Sequence, residues 1–137
     1  MVERTFAMIK PDGVQGHHIG AIIDIIEKAG FKILALRMEH LSTAKAEKFY
    51  AVHKERPFFG SLISSITSGP VVAMALEKEN AIKAWRDLMG ATDPQKAEAG
   101  TIRKQFGISL DKGNATHGSD ASETAKEELA LLFPELK

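Results

Sequence analysis

The run Val71-Val72-Ala73-Met74-Ala75-Leu76 carries no polar side chain, and it restricts the fold more than any other stretch. Punctuated by Gly69-Pro70, it reads as a fully buried strand. A second short apolar run, Thr5-Phe6-Ala7-Met8-Ile9, is ended by Lys10-Pro11-Asp12-Gly13. Proline cannot extend a hydrogen-bonded ladder and Asp-Gly favours a turn, so this too is a strand, with Lys10 at its end. Between the two, Ile19, Ile22, Ile23 and Ile26 repeat at helical spacing, and Gly30 closes that helix. Phe31 to Leu41 is predicted as a strand with Leu34, Leu36 and Met38 on one face. Ser42 is placed to cap a helix running to about His53, with Ala46, Phe49 and Tyr50 as its buried stripe. Arg56-Pro57-Phe58-Phe59-Gly60 leads into a short helix bearing Leu62, Ile63 and Ile66.

Asn80 is predicted to cap a helix that Gly90 ends after Met89. Residues 91–113 are weakly patterned, and a loop-rich stretch of that length in a compact domain is usually functional or disordered. Ala115 to His117 reads as a late, short extended piece. Asp120 is expected to cap the last helix, with Glu123 completing a capping box. Ala125, Leu129, Leu132 and Phe133 stripe that helix. This order predicts an α+β, ferredoxin-like sandwich: a four-stranded antiparallel sheet with helices on one face. The other face is left for further helices or partner contacts.

The 137 residues suit a single domain, 1–137. Lys plus Arg (18) equals Asp plus Glu (18), which argues against a general nucleic-acid or membrane-surface binder. The absence of cysteine removes disulfides, thiol nucleophiles and Cys-ligated zinc together. No signal peptide and no apolar run of membrane-spanning length are present, so a cytoplasmic location is expected.

The P-loop, G-x-G-x-x-G, H-E-x-x-H and G-x-S-x-G patterns are all missing. Adjacent His17 and His18 would splay rather than chelate one metal, and read as exposed loop residues. The remaining candidate is His117, held between the Gly113-Asn114 turn and Gly118, with only small neighbours in sequence. Space around an imidazole suits a nucleophile or a general base. Lys10, Arg86 and Arg103, with the Thr92 hydroxyl, are the residue types a polyphosphate needs.

Five separated motifs, Lys10-Pro11-Asp12-Gly13, Arg56-Pro57-Phe58-Phe59, Ser68-Gly69-Pro70-Val71-Val72, Gly100-Thr101-Ile102-Arg103 and Asn114 through Asp120, together resemble nucleoside diphosphate kinase. The resemblance runs from Arg4 to about Phe133. It implies transfer of the γ-phosphate of a nucleoside triphosphate such as ATP to a nucleoside diphosphate, by a ping-pong route through a phosphohistidine. It implies His117 as the nucleophile and Glu128 as the acceptor that fixes its tautomer, with Ser119 holding Glu128 and Tyr50 alongside. Lys10 looks like the contact to phosphates and sugar hydroxyl; Arg86, Thr92 and Arg103 like the phosphate group; Asn114 like the ribose contact. Phe58 matches the aromatic that stacks on the base, with Leu62 beside it, His53 toward the diphosphate and Leu110 on the base's other side. Stacking tolerates any base, which accounts for weak base preference. Mg²⁺ is expected on the nucleotide phosphates and not on protein ligands, and a homo-oligomer, tetramer or hexamer, is expected as the partner state.

Lys104-Gln105 departs from the family pattern after Arg103, and Gln15-Gly16-His17-His18 departs in the first turn. The chain ends at Lys137, soon after Phe133-Pro134, whereas longer members use their tails in subunit contacts. Two other readings stand beside the enzyme: a ligand- or RNA-binding module on the same sandwich, which would need an exposed aromatic sheet face, and a structural oligomer without turnover.

Overall fold

Both faces of the sheet are buried, which is why its central strands are apolar without alternation. The computed structural model describes residues 2–109 and 113–136. In chain order they form β1 (Val2–Ile9), α1 (Pro11–Gln15), α2 (Ile19–Lys28), β2 (Lys32–Glu39), α3 (Thr43–Phe49) and α4 (Phe59–Ile66). There follow β3 (Val71–Glu79), α5 (Ala81–Met89), α6 (Ile102–Phe106), β4 (Thr116–Gly118) and α7 (Ser122–Leu132). The four-stranded sheet has the order β2-β3-β1-β4, with antiparallel neighbours throughout. Phe6 and Met8 of β1 join Val71, Ala73 and Ala75 of β3 under α3, α4 and α7. Ala7 and Ile9 join Val72, Met74 and Leu76 under α2, α5 and α6. Helices therefore take the face that the sequence left open, and among the described residues no exposed aromatic sheet surface remains for RNA.

Several local expectations are corrected. In β2 the pairing skips at Leu34, between Ile33↔Leu76 and Ala35↔Ala75. An extra residue in a strand reverses the phase of everything after it. Leu34 packs with the α3/α4/α7 layer, whereas Leu36 and Met38 pair opposite Met74 and Val72 and lie exposed on the edge strand. The helix after Ser42 stops at Phe49, and a separate 3₁₀ turn carries Ala51–His53. Asn80 precedes α5 with φ +51 and no side-chain cap; Glu3 Oε1 accepts from Ile82 N instead, at 2.9 Å. Within 91–113, Thr101 caps α6 by accepting from Lys104 N. Asp120 does not cap α7, whose N-cap is Ala121, because Arg86 has taken its carboxylate. His18 is half-buried, its ring 4.6 Å from that of Phe106, while His17 is exposed with φ +63.

β4 depends on a close approach. A Cβ on Gly118 would lie 2.4 Å from Trp85 Cδ1 and 2.7 Å from Met89 Cε. Trp85 is fully buried and packs edge-on to Phe31, so it cannot swing away. Gly118→Ala is expected to destabilise the fold by about 1–3 kcal/mol, read as a lower denaturant midpoint at unchanged m-value.

Candidate active site

β4 carries His117 into the layer beneath α3 and α7, because His117 pairs opposite Met8. Its backbone is fixed at several points. Trp85 Nε1 donates to His117 O at 3.1 Å, Arg103 Nη2 to Thr116 O at 2.8 Å, and Ser119 N to Phe6 O at 3.3 Å. The ring is less open than its small sequence neighbours suggest. Phe49 packs against it at 4.9 Å and 64°, and Phe6 at 6.0 Å. The open side faces a cleft lined by Lys48, Tyr50, His53, Asp120 and Glu127.

Two distances define the imidazole's chemistry. Its Nε2 lies 3.1 and 3.2 Å from the two carboxylate oxygens of Glu128, and Ser119 Oγ donates to Glu128 Oε1 at 2.7 Å. An ionised carboxylate only accepts, so Nε2 carries a proton, and in the neutral ring the lone pair is on Nδ1. No described residue hydrogen-bonds Nδ1. Glu128 is buried on α7, off the apolar stripe, as its spacing from Leu129 and Leu132 predicts. Tyr50 is buried beside this group; burial, and then the charge of Glu128, push its phenol well above the ordinary range, so it keeps its proton.

Three cations lie near one another, with Arg86 acting on Arg103 and Arg103 on Lys10. Arg103, predicted to sit in a loop, is buried on α6 and donates to Gly90 O at 3.1 Å as well as to Thr116 O. Its Nε, also buried, has no hydrogen-bond partner among the described residues. Burial and then neighbouring Arg86 lower its guanidinium to about 10. Arg86 is exposed on α5 and donates from Nη1 to Asp120 Oδ1 at 2.8 Å. Lys10 Nζ donates to Asn114 Oδ1 at 2.9 Å, and Asn114 Nδ2 donates to Thr92 O at 3.1 Å. Burial first, then Arg103, push the Lys10 ammonium down to about 8, against an opposing pull from Asp12.

The lowered Lys10 has a thermodynamic sign. Between about pH 8 and 10.5 the unfolded chain holds the proton that the folded one has released, so this group makes stability rise with pH across that window. Below it the folded state carries the strain of a crowded ammonium. An anion placed there restores the proton. Binding of a nucleoside diphosphate at pH about 8.5 is expected to take up a fraction of a proton, read by calorimetry in two buffers of different ionisation enthalpy.

On the far side of Lys10 a cleft of about 490 Å³ is lined by Phe58, Ser61, Leu62, Thr92 and Asn114. Phe58 is 46 % exposed and presents its ring to this space, while Leu62 is half-buried behind it. His53 bridges the two clefts, its ring 5.7 Å from Phe58 and 6.1 Å from Tyr50. Leu110 lies outside the described residues. Thus His117, Glu128, Ser119 and Tyr50 form one group, and Lys10, Asn114, Thr92, Phe58 and Leu62 form a second. Arg103 and Arg86 stand between them through Thr116, Gly90 and Asp120. Sequence reasoning missed the Arg86–Asp120 pair, Trp85 and Asp12; the only sequence signal among these was Asp12's place in the Lys10–Gly13 motif. Among the described residues no group of three or more His, Cys, Asp or Glu side chains could hold a metal ion, and no helix is long and apolar enough to cross a membrane.

A histidine whose Nε2 is committed to Glu128, on a strand tied to the buried Arg103 with Arg86 and Lys10 acting around that guanidinium, is an arrangement suited to phosphoryl transfer on a ferredoxin-like α+β sheet. A family model described as nucleoside diphosphate kinase matches residues 3–137. A nucleoside diphosphate kinase of Burkholderia mallei is 59% identical over 135 residues, covering 98% of this chain and 95% of its own. One from Geotalea uraniireducens is 55% identical over 136 residues, covering 99% and 98%. The crystal structure of the Aquifex aeolicus nucleoside diphosphate kinase superposes with a TM-score of 0.94 at 44% identity, over 97% of this chain and 96% of that one. The Encephalitozoon cuniculi nucleoside diphosphate kinase gives 0.91 at 37%, over 96% and 88%. The chain belongs to the nucleoside diphosphate kinase family, and is a phosphotransferase.

Proposed function

We propose that this chain, as one catalytic unit over 1–137, moves the γ-phosphate of a nucleoside triphosphate to a nucleoside diphosphate through a covalent intermediate on His117 Nδ1. The observation that carries this is the commitment of Nε2 to Glu128, which leaves Nδ1 as the nitrogen with a free lone pair in the neutral ring, on a strand that Arg103 holds through Thr116 O. In the first half-reaction the Nδ1 lone pair attacks the γ-phosphorus. The bond from that phosphorus to the bridging oxygen breaks, its electrons leave with the diphosphate, and an N–P bond remains. In the second, a terminal oxygen of the acceptor diphosphate attacks the same phosphorus and the N–P electrons return to Nδ1. Glu128 holds the Nε2 proton through both and balances the charge the ring acquires; Ser119 keeps Glu128 in place.

Positioning and charge neutralisation supply most of the catalysis in such a transfer. Arg103 and Arg86 address the transferred phosphate, Thr92 and Lys10 the remaining phosphates, and Lys10 with Asn114 the sugar. Phe58 stacks on the base with Leu62 beside it, and His53 faces the diphosphate from the adjoining turn. Nucleotide kinases generally need a divalent cation, here Mg²⁺. The cleft walls fit one carried on the phosphates, since the carboxylates of Asp12, Glu128 and Asp120 are already engaged by Ala115 N, by His117 with Ser119, and by Arg86. When bound, the ion neutralises phosphate charge. A cytoplasmic homo-oligomer fits the exposed Leu36 and Met38 on the edge strand β2, an edge that natural sheets cover; light scattering distinguishes tetramer from hexamer. The transfer itself is tested by incubation with γ-labelled ATP. An acid-labile, alkali-stable label on the protein that moves to added GDP is expected; a stable fold that never acquires it would overturn the enzyme reading and leave the two readings without turnover.

A further inference from the structure

Asp12 sits in the Lys10–Gly13 motif, yet neither the core nor the transfer step above uses it. Its Oδ2 accepts from Ala115 N at 2.9 Å. Ala115 is fully buried and has φ +71, a backbone conformation that residues with a Cβ rarely adopt unless their surroundings enforce it. At the other end of the same residue, Lys10 N donates to Ala115 O at 2.8 Å. Gly113, with φ +128, approaches so closely that a Cβ there would lie 2.4 Å from Asp12 Cγ. One carboxylate thus grips a turn whose middle residue, Asn114, holds Lys10 Nζ and whose next residues enter β4 at His117.

We propose that Asp12 is a positioning residue for phosphoryl transfer: its carboxylate clamps the Gly113–Ala115 turn onto the end of β1 and so sets Asn114, Lys10 and the histidine strand relative to one another. The inference rests on the reading of Lys10 as a phosphate contact and of His117 as the nucleophile. The clamp also brings a charge to Lys10. The charged groups that act on this ammonium are Asp12 of α1 and Arg103 of α6, and of the two only Asp12 favours its protonated form. An asparagine at position 12 still accepts from Ala115 N but lacks the charge. A purely structural clamp would be rescued by asparagine; a clamp that also keeps Lys10 charged would not.

The test is the pH profile of kcat/KM for a nucleoside diphosphate acceptor, from about pH 6.5 to 9.5, on wild type, Asp12→Asn, Asp12→Ala and Lys10→Met, each with a thermal melt. Wild type should show a basic limb near 8, from Lys10. Asp12→Asn should melt within a few degrees of wild type, with the limb displaced to lower pH. At pH about 8 its kcat/KM should fall on the order of tenfold, mostly through KM. Asp12→Ala, which also frees the turn, should lose on the order of a hundredfold. An Asp12→Asn limb coincident with wild type, or an Asp12→Ala activity within about twofold, overturns the inference. Lys10→Met separates the layers. If it abolishes the limb while Asp12→Asn is unchanged, Asp12 alone is misread; if it keeps activity and limb, the reading of Lys10 falls and this inference with it. Should Asp12→Asn not fold, the wild-type Ala115 amide proton decides by NMR. It should follow the acid titration of one carboxylate, and a shift flat through the acid range removes the clamp.

Discussion

His117→Ala is expected to give a folded protein that acquires no label from γ-labelled ATP and transfers none to GDP, with the rate lower by on the order of 10⁴-fold or more. The magnitude follows from the chemistry, because both half-reactions pass through the lone pair on Nδ1 and no neighbour can replace it. Tyr50 is held as a neutral phenol, Ser119 is tied to Glu128, and Glu128 faces the other ring nitrogen. The loss should fall on kcat. Phe58, Asn114, Lys10 and the arginines remain, so acceptor affinity should stay within a few-fold of wild type. Stability should change by about 1 kcal/mol, since the lost contacts are chiefly the edge-on packing with Phe49 and the bond to Glu128. Glu128→Gln makes the contrast. An amide accepts through one oxygen only and carries no charge, so labelling should persist while turnover drops by on the order of ten- to a hundredfold. A His117→Ala protein that still passed label to GDP would mean that another group is the carrier.

The parts of this fold written in local pattern were legible from the chain, and those written in long-range contacts were not. β1, β3, α2 and the buried faces of α3, α4 and α7 follow from apolar spacing alone. The phase of β2 does not, because a bulge at Leu34 depends on how β3 accepts it across the sheet. The capping of α5 by Glu3 joins residues 79 positions apart, and the diversion of Asp120 to Arg86 joins residues 34 apart. No local rule anticipates either, although both Asn80 and Asp120 are good capping types. The left-handed Ala115 was equally invisible: alanine gives no sign of positive φ, and its conformation is imposed by Asp12 and Lys10. At the site, His117 stood out for the turn and glycine around it. The resemblance offered Arg103 as a phosphate contact, but that its guanidinium is buried and ties Gly90 to Thr116 could come only from coordinates.

That double duty makes Arg103→Ala the second large effect expected. Nη1 and Nη2 satisfy the carbonyls of Gly90 and Thr116, and the second of these is bonded directly to the residue that carries the nucleophile. Removing the guanidinium leaves both carbonyls short of a donor and opens the space between α5, α6 and β4. A stability loss of about 2–4 kcal/mol is expected, read as a lower denaturant midpoint. On the proposed role of Arg103 toward the transferred phosphate, activity should fall on the order of a hundredfold beyond any effect of unfolding. Arg103→Lys separates the two roles. An ammonium on a flexible stem restores charge yet cannot bridge two carbonyls in a plane while presenting a third donor, so it should recover acceptor binding better than kcat. The neighbours give a further check. Arg86 lowers the Arg103 guanidinium, and Arg103 in turn lowers Lys10, so Arg103→Ala should move the basic limb of Lys10 upward from about 8. A variant with full kcat and an unmoved limb would show that Arg103 only ties helix to strand, and that the three cations do not act as one phosphate-binding group.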